Sequence, residues 1–185
     1  MNVDTLLANP SIHASGLYNL DPGDYAHALA TLAEWGDAKA QHNLAAMYLE
    51  GVEVPLDYGL ALQWHRLSAE QGFAPAQYDL GTLYLEGLGV DPQPEVAASW
   101  FRLAARQRDA KACNNLGILY ATGEGVERDM IQARAWFLMA VHGGLVDALE
   151  NLELSAEEMT SEEMARAQAL ADVWREEGCG MGDGM

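Results

Sequence analysis

Basic side chains are scarce in this chain: ten lysines and arginines stand against 28 aspartates and glutamates, a formal charge of −18 at pH 7. Such a field disfavours nucleic-acid backbones and anionic membranes and draws basic partners inward. The same charge serves equally as a solubility device on a solvated surface, and composition leaves both readings open. Cysteine is nearly absent. Cys113 and Cys179 are too few for a disulfide framework, so a reducing compartment is the simplest inference. No apolar run approaches the ~18 residues needed to cross a bilayer. Met1 to Leu7 carries neither a basic region nor an apolar run before a cleavage site, and the expected location is cytoplasmic.

Catalytic signals are equally thin. The five histidines, at 13, 27, 42, 65 and 142, show no i, i+4 pairing with each other or with a cysteine. A metal site would have to be assembled across distant parts of the chain, and neither a metal nor a cofactor is assigned. The serines lack a nucleophile-elbow setting. Glu157, Glu158, Glu162 and Glu163 read as a charge run at a helix start, favourable against the dipole.

Apolar residues are plentiful. Half of the 185 residues are hydrophobic and 21% are charged, which excludes disorder as the main state and makes one domain with a sizeable core the expectation. These residues recur. Ala112, Leu116, Gly117, Tyr120, Gly123, Gly125, Val126, Asp129, Ala133 and Trp136 form a pattern that returns 36 residues earlier as Ala76, Leu80, Gly81, Tyr84, Gly87, Gly89, Val90, Ala97 and Trp100. It returns again as Ala40, Leu44, Tyr48, Gly51, Asp57, Ala61 and Trp64. A fixed period of this length implies a solenoid of stacked supersecondary units.

Helical spacing and capping residues set the expected elements. Tyr25, Ala28, Leu29, Leu32 and Ala33 form the second helix of a degenerate leading repeat, because Asp21 precedes Asp57 by one period. The first full unit pairs a helix from about Asp37 to Glu50 with one starting at Asp57, whose buried face is Leu60, Ala61, Trp64 and Leu67. The second pairs Phe73–Glu86 with Pro94–Gln107, and the third pairs Asp109–Thr122 with Asp129–His142. Pro75 and Pro94 sit in first turns, where proline is tolerated. A further helix begins near Asp147, and Thr160 with Glu163 makes a capping box for a last helix that turns Met164, Ala167, Leu170, Ala171 and Trp174 inward as a lid. The expected division is 1–35 for an arm and leading helix, 36–144 for three repeats, 145–177 for a partial repeat and cap, and 178–185 for a flexible tail.

Gly or Ala at 45, 81 and 117 lets paired helices approach closely, while the tyrosines and tryptophans fill space between units, each burying ~150–250 Å². Gly87-Leu88-Gly89 and Gly123-Glu124-Gly125 resemble phosphate loops but join two helices and lack a preceding strand and a Lys-Ser/Thr pair. They are repeat turns.

The pattern Ala-x3-Leu-Gly-x2-Tyr-x2-Gly-x-Gly-Val, then Asp-x3-Ala-x2-Trp, resembles the Sel1-like repeat family, relatives of tetratricopeptide repeats, over about residues 36 to 144. Ala45, Glu53, Gln93 and Arg108 depart from it at single turns and helix ends. The cysteine pairs of secreted members are absent. The resemblance implies an all-α, right-handed α-solenoid of antiparallel helix pairs with a C-terminal capping helix, and a concave groove on the first helices that binds proteins or peptides. Carried over unit by unit, the groove residues are Lys39, His42, Asn43, Ala46 and Leu49; Tyr78, Asp79, Thr82 and Leu85; Lys111, Asn114, Asn115 and Ile118; with Glu150 and Asn151 extending the row.

Asn43, Asp79, Asn115 and Asn151 share one register, so their polar ends either line the groove for an extended peptide or bond neighbouring helices as part of the repeat. Tyr78 and His42 are the expected specificity residues. The function expected is a non-catalytic adaptor, monomeric, for a protein or peptide partner of basic character, with no nucleic acid and no membrane. The alternatives are a self-associating structural protein and an enzyme, hydrolytic or cell-wall-associated, with an unrecognised site.

Overall fold

The computed structural model describes Leu17 and residues 20–177. The expected arm residues Leu6, Leu7 and Ile12, and the tail from Gly178 with Cys179, lie outside the described residues. The described residues form nine helices and no strand: α1 Pro22–Glu34, α2 Ala38–Glu50, α3 Tyr58–Glu70, α4 Ala74–Glu86, α5 Pro94–Arg106, α6 Ala110–Thr122, α7 Met130–His142, α8 Ala148–Glu157 and α9 Ser161–Glu177. Each helix from α1 to α7 packs on the next, and α9 folds back onto α7. None is long and apolar enough to cross a membrane.

Local chemistry accounts for these boundaries. Asp21, Asp37, Asp57, Asp109 and Asp129 each accept a hydrogen bond from a first-turn backbone N–H of the helix they precede, satisfying donors that the helix itself cannot. Phe73 and Gln93 hold the equivalent positions before α4 and α5 and offer no such bond. First helices stop at Gly51, Gly87 and Gly123 in the left-handed conformation. The chain then turns back so that the backbone N–H of residue 57, 93 or 129 donates to the carbonyl of Tyr48, Tyr84 or Tyr120, at 2.7–2.9 Å. Glu53 and Arg108, two departures from the repeat, keep the positive φ of the glycines they replace, at 60° and 66°.

Within a unit the small residue on the first helix seats an aromatic ring of the second. A β-carbon added to Gly81 would lie 2.6 Å from the Phe101 ring, and one on Gly117 would collide with Phe137. Both rings are buried. Between units, a β-carbon on Gly89 would strike the Tyr58 carbonyl, and one on Gly125 the Pro94 backbone, so each turn lies on the start of the preceding unit's second helix. Arg66 and Arg102 donate to the hydroxyls of Tyr84 and Tyr120 in the following unit. Buried Gln41 and Gln77 donate to the carbonyls of Ala33 and Ala69 and accept from Gln71 and Gln107. These side chains carry the stacking that burial alone leaves unspecific in register.

The apolar interior runs from Leu62 to Trp174, with a smaller cluster of Leu17, α1, Ala40 and Leu44 at the N-terminal end. Trp64 and Trp100 are half-buried, whereas Trp136 is buried because Trp174 of α9 covers it at a ring-centroid distance of 4.2 Å. The lid thus protects the last tryptophan more than its predecessors. Thr160 and Glu163 exchange both bonds of the expected capping box at its start. One expectation needs correction. On α3, Leu67 is 45% exposed, and Leu62 and His65 face inward in its stead.

Candidate functional site

The starts of α2, α4 and α6 and the end of α7 enclose a depression of about 420 Å³. His42, Tyr78, Asp79 and Lys111, all expected groove residues, line it together with Asp109 and Leu145. Tyr78 leans on Phe101 with centroids 5.8 Å apart, and the Lys111 ammonium lies 5.8 Å above the Tyr78 ring, a cation–π arrangement. His42 meets Phe73 edge-on at 5.3 Å. The result is an aromatic ledge with carboxylates at its edge.

The remaining expected residues are placed elsewhere. Lys39 is exposed, Asn43 and Asn115 are half-buried on their helices, and the Thr82 hydroxyl donates to the Tyr78 carbonyl at 3.3 Å. Asn151 donates to Asn114 at 2.9 Å, so at the C-terminal end the amides bond each other between helices. Ile118 lines a separate depression of about 210 Å³ with Asn151 and Leu154.

A residue outside the expected groove forms the floor. His65 of α3 is fully buried, and neither of its ring nitrogens has a hydrogen-bond partner. His65 Nε2 lies 3.9 Å from Asp79 Oδ2, and His42 Nδ1 lies 3.4 Å from the same oxygen. The imidazole rings of His42 and His65 meet edge to face at 5.3 Å. A buried polar group without a partner costs about 1–3 kcal/mol, so this seat is unfavourable as it stands.

Burial explains the titration behaviour of all three groups. It pushes the His65 imidazole down to about 3, with His42 adding to the shift, and it lowers His42 as well. It raises the Asp79 carboxyl to about 6; the Lys111 ammonium opposes that rise and the Asp109 carboxylate adds to it. At neutral pH the two imidazoles are therefore neutral and Asp79 is mostly ionised.

The repeat register makes His65 legible in hindsight. Positions 65, 101 and 137 are equivalent, and the other two are phenylalanine. The Phe101 and Phe137 rings face Gly81 and Gly117, and the same register in the first unit holds Ala45. In register, the histidine–alanine pair of the first unit replaces the phenylalanine–glycine pair of the others.

The Sel1 repeat profile matches the chain three times, at residues 38–73, 74–109 and 110–145. A crystal structure of a Sel1 repeat protein from Oxalobacter formigenes is similar at 31% identity with a TM-score of 0.68, covering 76% of this chain and 58% of that one. A protective antigen present in uropathogenic Escherichia coli strains, displaying an SLR fold, is similar at 28% identity and a TM-score of 0.56, covering 95% of this chain and 46% of that one. The chain thus spans about half the length of these two proteins. No curated protein matches it.

Proposed function

Because the chain belongs to the Sel1 repeat family, we propose that it is a non-catalytic adaptor that holds a segment of a partner protein in the depression between α2, α4 and α6. The supporting observation is the ledge of Tyr78 under Lys111, bordered by Asp79 and Asp109, on a scaffold of packed helices. A tyrosine ring anchored on Phe101 offers contact area with little rotamer entropy left to lose. Asp79 and Asp109 present acceptors to a basic side chain, and the overall charge of −18 steers such a segment in. Lys39, Asn43, Thr82, Asn114, Asn115 and Ile118 extend the contact surface along the first helices.

Selection from a random peptide library on the immobilised full chain, in chelator, tests this reading. Enriched peptides are expected to carry lysine or arginine, to bind more weakly as salt rises, and to lose at least tenfold in affinity to the Tyr78→Ala chain. No enrichment over background, or equal affinity for the Tyr78→Ala chain, contradicts it.

A further inference from the structure

We propose that His42, His65 and Asp79 form a binding site for a zinc-class divalent transition-metal ion, with one coordination position open to the depression above. The three come from three different helices, α2, α3 and α4, and their ligand atoms all lie within 4.8 Å of one another. Around a tetrahedral ion with bonds of ~2.0–2.1 Å, ligand atoms sit about 3.3 Å apart. His42 Nδ1 and Asp79 Oδ2 already have that separation at 3.4 Å, and His65 Nε2 needs to close from 3.9 Å. The two histidine donors, within 4.8 Å of each other, must close as well when the ion binds.

Two departures from the repeat, His65 and Asp79, meet at this one place beside a position that differs in every unit. His65 stands where Phe101 and Phe137 stand, Asp79 where Asn43 and Asn115 stand, and His42 where Tyr78 and Asn114 stand. Stacking alone calls for none of these changes, because the second and third units fill the same seat with a phenylalanine ring. A phenylalanine would leave no polar atom to satisfy, whereas His65 brings two ring nitrogens without partners into a fully buried position. An ion at the cluster supplies what the Nε2 lone pair lacks. Neutral imidazoles and an ionised carboxylate are the forms that bind metal. Two nitrogen donors favour zinc and its neighbours over magnesium and calcium, which take oxygen ligands. His42 and Asp79 also line the depression with Tyr78 and Lys111, so a fourth position on that side would be open to water or a donor atom of a bound segment.

The test is calorimetric titration of the chelator-stripped full chain with Zn²⁺ alone, no peptide present. One saturable site per chain is expected, undisturbed by excess Mg²⁺, and weakened at least tenfold in Asp79→Asn and in His42→Ala. The Ala45→Gly/His65→Phe double variant restores the pair found in the other two units, so it keeps a seat known to fold while losing a ligand; circular dichroism confirms folding and the site should vanish. Co²⁺ should give the visible absorption of a tetrahedral complex in the wild-type chain and not in the double variant. Absence of saturable binding overturns the proposal, as does a site that survives in the double variant, since the ion would then sit elsewhere. Because peptide selection is done in chelator and this titration without peptide, failure of one leaves the other standing.

Discussion

The first and third repeats share a period and a fold but not a seat. In the third, the buried Phe137 ring lies on Gly117 and brings no polar atom to the seat. In the first, His65 takes the phenylalanine's register with two ring nitrogens unpaired, and a carboxylate oxygen of the next unit lies 3.9 Å from Nε2. The contrast separates two kinds of departure from a repeat. Glu53 and Arg108 keep a backbone shape at some strain, and they lie apart from each other on turns. His65 and Asp79 alter chemistry, and they converge beside His42.

That contrast predicts a ranked series of effects. Phe101→Ala should be the most damaging, about 3–5 kcal/mol from lost burial and a residual cavity, whereas His65→Ala should cost only about 1–2 kcal/mol because it also removes unpaired polar atoms. Urea unfolding of the two variants in chelator reads the difference, and equal losses would erase the distinction between the seats.

Asp79→Asn sharpens it through pH. Folding raises this carboxyl from its ordinary 3.8 to about 6, so between those values the folded chain binds the extra proton and acidification stabilises through this group. His65, lowered to about 3, and His42, also lowered, act oppositely: below their ordinary 6.5 the unfolded chain takes protons that the folded one refuses. With Lys111 and Asp109 as the other charges facing Asp79, the wild type should balance these slopes in part. The Asp79→Asn chain should gain stability at neutral pH and lose it more steeply towards about pH 4.5. Urea midpoints at both values decide, and a steeper fall in the wild type would reverse the sign.

The middle repeat offers the smallest effect. Gln93 has a backbone conformation close to that of Asp57 and Asp129 without their capping bond. Gln93→Asp should therefore stabilise by about 0.5–2 kcal/mol, seen as a raised thermal midpoint. No change would mean that Pro94 in the first turn already supplies what the cap would add.

Much of the architecture is legible in the chain because repetition amplifies weak signals. A single Asp before a helix says little, but Asp21, Asp57 and Asp129 at whole multiples of one period name a boundary, and each caps a helix. The register of 65, 101 and 137 is harder to read, because it sits one residue after each tryptophan and so about 100° around the helix. The second helices bury a broad face: tryptophans along one ridge, and the ring that meets the small residue of the paired helix along the next. Following the tryptophans alone puts Leu67 inside and leaves His65 out. His42, Tyr78, Asp79 and Lys111 share a depression because first helices stack in register, which the period predicts. The His42–His65–Asp79 cluster has no local spacing signal, since its members lie on three helices; only alignment of the units against each other exposes it.

The first unit's polar seat is proposed to serve a ligand at the expense of the bare scaffold's stability. Urea unfolding of the Ala45→Gly/His65→Phe chain against the wild type, both in chelator, addresses it most directly. A higher midpoint in the double variant is the predicted result; a lower one would show that the histidine belongs to the packing of the fold.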